Sequence, residues 1–548
     1  MTGAPEQGRN QVDLPTVLTA IAAAQPDAPA IAWRDDRRTR GEIDERTNRF
    51  ANHLAAVGLG CHRERAALAN HESGQDHLAI YMQNRPEYLE AMLGAWKARV
   101  APFNVNYRYV VDELRYLFDD AGATAVVVES RFAPTLAEVL SDLPRLRVIV
   151  QVPDETGHEL LPGAIWYDDA LAAAPATPPS VHPSADDLYI LYTGGTTGMP
   201  KGVLWRNGDA MVECFGGSPT AVTVEDFVAE AGTGMRALIT PPFMHGAGHW
   251  VALRVWLAGG TVHLQDEPGH FDPADVWRTV EREGIEFMLI VGDAFARPLV
   301  DELARGSYEL SSLNVVLSGG AALSVGLKRE LLAQLPTLMI VDGLGSSEAG
   351  GQLSHVSTAA EAATGSFPPR PGNSVLSADL DRVLQPGDDE IGWLAKSGRL
   401  ALGYLHDAAK TARTYPVVDG VRYVIPGDRA RLHPDGSIEL QGRDAVTINS
   451  GGEKIFAEEV EMAVKAHPDV YDCVVAGRPS ERWGNEVVAI VRPREGADLT
   501  PSALLTEAGR HIARYKLPKD FVFVDDIVRS PAGKPDYRWA RQVVTEAS

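Results

Sequence analysis

The stretch from Phe287 to Gly343 constrains the fold more than any other part of the chain. Three short apolar runs, Phe287–Val291, Val315–Leu317 and Leu338–Val341, each end in a turn: Gly292-Asp293, Ser318-Gly319-Gly320 and Asp342-Gly343. A helical stretch through Leu303 follows the first turn, and the amphipathic stretch Leu323–Leu335 follows the second. Such strand–turn–helix–strand alternation predicts an α/β architecture with mainly parallel sheets. Toward the N-terminus, Tyr88–Ala98 has helical spacing and Ala125–Val128 reads as a buried strand. The segment Ala172–Ser184, rich in Ala and Pro, reads as a loop leading into a strand at Leu188–Tyr192.

After roughly Gly442 the texture changes. Helix-like Ala457–His467 precedes strands around Tyr471–Ala476 and Val487–Val491, a helix near Pro501–Arg514 and a strand at Phe521–Val524. That is a compact α+β unit of about 100 residues, a size typical of a small domain. A chain of 548 residues is also too long for one ordinary core. We place the boundary at Gly442–Ala445. A large, multi-subdomain N-terminal domain (1–442) and a small mobile C-terminal domain (443–548) are expected.

Charge narrows the partners. A formal net charge of −23 argues against nucleic acid, which is bound through clustered Lys and Arg, and against a polybasic membrane anchor. Cys61, Cys214 and Cys473 form no CxxC pair, so neither a disulfide framework nor a zinc site is expected, and a reducing cytoplasm is the simplest setting. The polar start, Met1 to Asn10, carries no apolar signal core, and no apolar run is long enough to span a bilayer.

The strongest local signal is Tyr192-Thr193-Gly194-Gly195-Thr196-Thr197-Gly198-Met199-Pro200-Lys201-Gly202. Following an apolar strand, it can turn and expose backbone N–H groups. Glycines let backbone approach an anion closely, three threonine hydroxyls add donors, and Lys201 adds a point charge for a polyphosphate. It is not a Walker A loop, which needs Gly before Lys and Ser or Thr after it. Pro200 and Gly202 occupy those places.

That order resembles the signature loop of the adenylate-forming acyl-CoA synthetase superfamily, and similar segments recur along nearly the whole chain. The resemblance implies that Thr193, Gly194, Gly195, Thr196, Thr197, Gly198 and Lys201 hold the β and γ phosphates of ATP. In Pro241-Pro242-Phe243-Met244-His245-Gly246, His245 would line the acyl pocket. Ser318-Gly319-Gly320-Ala321-Ala322 resembles the loop on which adenine lies. Asp342-Gly343-Leu344-Gly345-Ser346-Ser347-Glu348 would complete the nucleotide site, with Ser347 at the α-phosphate and Glu348, with Thr197, at Mg²⁺. Leu344 departs from the common pattern, which often stacks an aromatic on adenine. Asp428, in Tyr423-Val424-Ile425-Pro426-Gly427-Asp428, would bind ribose, and Arg443 ribose or phosphate.

The same resemblance places the interdomain pivot at Asp444 or, preferably, Ala445. It places a loop near the pantetheine arm of coenzyme A at Asn449–Ile455, where Gly451 and Gly452 allow close approach. Lys534, in Ser530-Pro531-Ala532-Gly533-Lys534-Pro535-Asp536-Tyr537-Arg538, would be the adenylation lysine. Catalytic roles thus fall to Lys534, Glu348, His245 and Lys201. ATP, Mg²⁺, coenzyme A and a small carboxylic acid are the expected ligands, and a homo-oligomer is compatible with the sequence.

Further details, Lys201–Arg206, Met244-His245-Gly246, Gly292–Leu299 and Gly533–Trp539, resemble an actinobacterial branch that activates fatty acids and steroid side-chain carboxylates. An aryl or terpenoid acid stays open. Two rivals are a stand-alone adenylation enzyme loading a carrier protein and a non-catalytic homologue acting as a binding protein. No carrier domain is evident after Lys534, and the Gly-Gly-Glu-Lys loop favours coenzyme A. Retention of Thr197, Lys201, Glu348, Asp428, Arg443 and Lys534 disfavours the silent homologue.

Overall fold

The computed structural model describes residues 9–195, 198–232, 234–450, 453–480, 483–531 and 533–547. Two eight-stranded sheets form its frame. The first runs Gly350–Ser357, Met339–Ser346, Val315–Gly319, Phe287–Ile290, Arg236–Ile239, Thr261–His263, Pro29–Trp33, Asp36–Thr39. Every pairing between Met339–Ser346 and Pro29–Trp33 is parallel, and only the two edge strands are antiparallel. The three apolar runs between Phe287 and Val341 are therefore neighbouring strands of one parallel sheet.

The second sheet orders Gly403–Tyr404, Gly198–Arg206, Leu188–Gly195, Ala101–Asn104, His77–Tyr81, Ala125–Glu129, Val148–Val152, Ile165–Trp166. Ala125–Glu129 shows why such runs carry no polar alternation. Ala125 and Val127 join one core cluster and Val126 and Val128 another, so both faces are covered. The first cluster fills the space between the two sheets with helices Arg40–Ala56, Pro86–Lys97 and Gly246–Leu257, around Phe50, Trp96, Tyr189 and Trp205. Each large apolar side chain fully buried there contributes roughly 1.5–3 kcal/mol.

A third, seven-stranded sheet is antiparallel throughout and lies within residues 366–443. Its short strands are joined mostly by turns, so the strand–helix rhythm of the parallel sheets is missing there. The last strand, Ile438–Arg443, leads into the turn Asp444–Val446, so the stretch Gly442–Ala445 spans a strand end and a turn.

Beyond that turn a five-stranded sheet carries helices Ala457–Lys465, Pro501–Ala508 and Tyr537–Glu546. One of its faces packs Ile455, Val460, Cys473 and Val491, and the other Val474, Ile490 and Val544. The helix expected near Pro501–Arg514 ends earlier, and Arg514–Lys516 form a separate single turn. No helix among the described residues is long and apolar enough to cross a membrane.

Candidate active site

The described residues of the Gly/Thr-rich motif lie on two paired strands. Strands Leu188–Gly195 and Gly198–Arg206 pair antiparallel, with Thr193 opposite Lys201 and Gly195 opposite Gly198. Thr196 and Thr197 lie outside the described residues. Lys201 Nζ stands 3.6 Å from Asp120 Oδ1. Partial burial opposes its charge, but Asp120 and the Tyr116 hydroxyl more than offset this and raise its pKa. The Tyr192 hydroxyl donates to Asp120 at 2.8 Å, which fixes that carboxylate beside these strands.

The parallel sheet supplies the next two segments at the C-terminal ends of neighbouring strands, where open α/β sheets bind ligands. Val315–Gly319 ends in Gly320, whose φ of +87° favours glycine. A Cβ at Gly320 would lie 3.9 Å from Lys534 Cε, so the candidate catalytic lysine hangs over the expected adenine loop. Gly319 and Gly343 are register partners on adjacent strands, and Ala321 is partly buried against the apolar layer outside them.

Met339–Ser346 form one long strand, and its side chains divide the work. The Asp342 carboxylate is paired with the fully buried Lys328. One of its two oxygens is thereby committed to Lys328. Leu344 packs against the cluster of Leu353, Phe367 and Leu394. Gly345 has no room for a Cβ, which would meet Gly350 O at 2.5 Å. Ser346 Oγ accepts from Ala349 N at 3.1 Å and Ser347 O from Trp205 Nε1 at 2.8 Å, so the turn around Glu348 is pinned from both sides.

Glu348 itself is oriented by two tyrosines. The Tyr404 hydroxyl donates to Oε1 at 2.8 Å, and the Tyr415 hydroxyl donates to the main-chain oxygen at 3.4 Å. Nearby, Lys396 Nζ donates to Ala349 O at 2.8 Å, Gly351 O at 2.7 Å and Glu213 Oε2 at 2.6 Å. Lys410 Nζ sits 3.9 Å over the Tyr404 ring. Burial lowers its pKa against the pull of Glu348 and Asp407, with Lys201 adding repulsion. The ammonium groups of Lys201 and Lys410 thus share one region with the Glu348 carboxylate.

Asp428 and Arg443 face each other across adjacent strands of the third sheet, with Arg443 Nε 3.3 Å from Asp428 Oδ1. The Asp428 carboxylate raises the Arg443 pKa. Lys534 reaches this pair from the small domain. Its turn is closed by Ser530 N donating to Lys534 O at 2.8 Å and by Arg529 donating to Gly533 O at 2.9 Å. The Lys534 side chain is exposed to solvent, with its stem against the Gly320 loop of the large domain. Hydration lost where the two domains meet, reinforced by Arg443 and opposed by Glu348 and Asp428, lowers its pKa to about 8.

Two histidines at the start of helix Gly246–Leu257 contrast sharply. His249 is satisfied by the Tyr189 hydroxyl and by Phe243 O, the latter at 2.6 Å. His245, the residue capping the helix, has a buried Nε2 with no partner. Burial, then repulsion by Lys534, lowers its pKa to about 3, so its ring is neutral and that nitrogen is unused.

The structure therefore brings Gly320, Glu348, Asp428, Arg443 and His245 close to Lys534, with Gly319 beside Gly320. Lys201 lies on the far side of Glu348, beside Lys410. Gly451 and Gly452 lie outside the described residues. No group of three or more His, Cys, Asp or Glu that could hold a metal occurs among the described residues. A cation here would use one or two carboxylate oxygens plus phosphate and water, the coordination Mg²⁺ takes with nucleotides, and the oriented Glu348 fits it.

The AMP-binding enzyme family profile matches residues 18–405, and that of the AMP-binding enzyme C-terminal domain matches residues 459–534. This chain belongs to the AMP-binding enzyme family. Among curated relatives, it is 53% identical to the medium-chain acyl-CoA ligase Mig of Mycobacterium avium, over 96% of this chain and 98% of the relative. It is 40% identical to a medium/long-chain-fatty-acid–CoA/3-oxocholest-4-en-26-oate–CoA ligase of Mycolicibacterium smegmatis, over 95% of each chain. Its fold matches the anthranilate CoA ligase AuaEII in complex with anthranoyl-AMP, with a TM-score of 0.82 over 98% of each chain at 19% identity.

Sequence reasoning missed Asp120, Lys396, Tyr404 and Lys410. Lysine is scarce, ten in 548 residues. That scarcity already marks Lys201 and Lys534, and it could have marked Lys396 and Lys410 as well.

Proposed function

We propose that this chain is an ATP-dependent acyl-CoA ligase that makes acyl-CoA, AMP and pyrophosphate by way of an acyl-adenylate. The observation that carries the reading is the approach of Lys534, near one end of the chain, to Gly320, Glu348, Asp428 and Arg443. A substrate carboxylate is already a nucleophile, so the barrier to its attack on the α-phosphate is the meeting of two anions. Lys534 and Lys201 lower it by placing positive charge where negative charge develops, and the residues around Lys534 hold the reactants in line. Asp428 accepts hydrogen bonds from ribose, and Arg443 donates to ribose or phosphate. Mg²⁺ held by Glu348, with Thr197, would supply further charge neutralisation on the phosphates.

Neutral His245 lines the acyl pocket and offers its free nitrogen beside the carboxylate. In the second half-reaction the coenzyme A thiol attacks the activated carbonyl and AMP leaves. This step requires the small domain to turn about residues 442–445, withdrawing Lys534 and bringing Gly451 and Gly452 to the pantetheine arm. Gly442, with φ +136°, stands at that joint.

We assign a lipid-like substrate, a medium- or long-chain fatty acid or a steroid side-chain carboxylate, on the activities named for the 53% and 40% identical relatives. The three free cysteines suit a cytoplasmic setting. The test is acid-dependent pyrophosphate exchange followed by coenzyme A-dependent AMP release, run over fatty, aryl and sterol acids. Both activities with a fatty or sterol acid support the assignment. Exchange without coenzyme A-dependent release would point to carrier loading, and neither activity to a binding protein.

A further inference from the structure

The Gly292–Leu299 segment has no role in the chemistry above. Yet among the described residues it makes the most buried ionic contact between the two domains. Its helix begins at Gly292, where φ is +54° and a Cβ would meet Ala322 O at 2.5 Å. Gly292 N donates to Ser318 Oγ at 3.0 Å, and Asp293 N to Ala322 O at 3.2 Å. The first turn of the helix is thereby stitched to the loop that carries Gly320. Asp293 uses one carboxylate oxygen to accept from Ser324 N at 2.7 Å and offers the other to Lys465 Nζ of the small domain at 3.1 Å.

The contact continues inward. Lys465 Nζ lies 4.0 Å from Asp472 Oδ1, and Arg529 binds Asp472 through Nε at 2.8 Å and a terminal nitrogen at 2.7 Å. The other terminal nitrogen of Arg529 donates to Gly533 O, the carbonyl immediately before Lys534. A continuous line of charge and hydrogen bonds therefore runs from the Ser318–Ala322 loop to the backbone of the catalytic turn. The Lys465 and Asp293 side chains are only 11% and 9% exposed, so water screens the pair little. A second ionic patch between the domains, Arg494 with Glu330 at 3.5 Å and Asp301 at 4.0 Å, has side chains 26–41% exposed. Exposed pairs of that kind contribute little.

We propose that Lys465 is a positioning residue: seated on Asp293, it latches the small domain in the orientation that holds Lys534 over Gly320, and so serves adenylation selectively. The pair suits a reversible latch because both partners lie on the interface. When the domains part, each charge regains water, whereas parting a pair inside one domain would strand a charge. In this arrangement Lys465 is charged, since Asp293 and Asp472 more than offset the effect of burial. The latch rests on the two half-reactions of the proposed function.

The test compares Lys465→Met, Asp293→Asn and Lys465→Arg with the parent enzyme in each half-reaction. Acid-dependent pyrophosphate exchange reads adenylation, and coenzyme A-dependent AMP release from supplied acyl-adenylate reads acyl transfer. Lys465→Met and Asp293→Asn, changed in different domains, should each slow exchange by about 10- to 100-fold and leave acyl transfer within about 3-fold. Lys465→Arg should restore most of the exchange. Undiminished exchange in both variants, or equal loss of both half-reactions, would overturn the latch. A parent enzyme that fails to catalyse exchange would instead overturn the functional reading on which the latch depends.

Discussion

The Tyr404 hydroxyl donates to Glu348 Oε1 at 2.8 Å, and so the carboxylate best placed for a metal is aimed by a residue from an edge strand of the other large sheet. Tyr404→Phe removes that donor while keeping the ring. Such a hydrogen bond to a charged group is worth roughly 1.5–3 kcal/mol. Pyrophosphate exchange should need a higher Mg²⁺ concentration and fall by about tenfold at subsaturating metal, with recovery at saturation. A Mg²⁺ titration of exchange checks it.

In the proposed role of Lys534, its pKa of about 8 should set a basic limit on adenylation. The ammonium is the active form, and a depressed pKa means it is lost earlier as pH rises. The kcat/KM profile for exchange, which reports the free enzyme, should fall above about pH 8. His245 contributes no limb near neutrality, because its pKa is lowered to about 3. A rate profile spanning roughly pH 6 to 10 checks both statements.

Glu458 predicts a pH-dependent stability. Its Oε2 is buried without a partner beside the joint at Gly442, and burial followed by repulsion from Glu461 raises its pKa from 4.5 to about 8. The folded state thus prefers the protonated form. Its contribution is fully present below pH 4.5 and is lost as pH rises through about 8. Glu458→Gln should flatten this fall, leaving the variant more stable than the parent at high pH by an amount on the order of 1–3 kcal/mol. Thermal unfolding of both proteins across that window measures the difference.

Lys396 is structural support for the site, and its loss should look different from loss of a reacting group. Lys396→Met leaves Glu213 and the carbonyls of Ala349 and Gly351 without their shared donor. Breaking a buried pair from one side costs about 3–5 kcal/mol. Both half-reactions should decline together, along with the denaturant midpoint, whereas a change confined to one half-reaction would contradict this role.

The parallel sheets are legible in the sequence because strands such as Phe287–Ile290 and Ala125–Glu129 are buried on both faces and read as continuous apolar runs. The antiparallel third sheet is not, since its strands lack intervening helices of comparable rhythm. In the site, Gly320 and Lys534 could be named from local motifs. Tyr404 could not, because its role arises from pairing of Gly403–Tyr404 with Val203 and Leu204, far away in the chain. Asp342 lies in a motif and yet turns its carboxylate to Lys328, a partner no local pattern announces. Leu344, likewise, packs into the third sheet's cluster.

Lys534→Ala separates adenylation from acyl transfer when the two half-reactions are measured individually. Acid-dependent pyrophosphate exchange should fall by at least about 100-fold, while coenzyme A-dependent AMP release from supplied acyl-adenylate stays within about 3-fold of the parent. Equal loss of both half-reactions, or unimpaired exchange, would rule out Lys534 as the adenylation lysine.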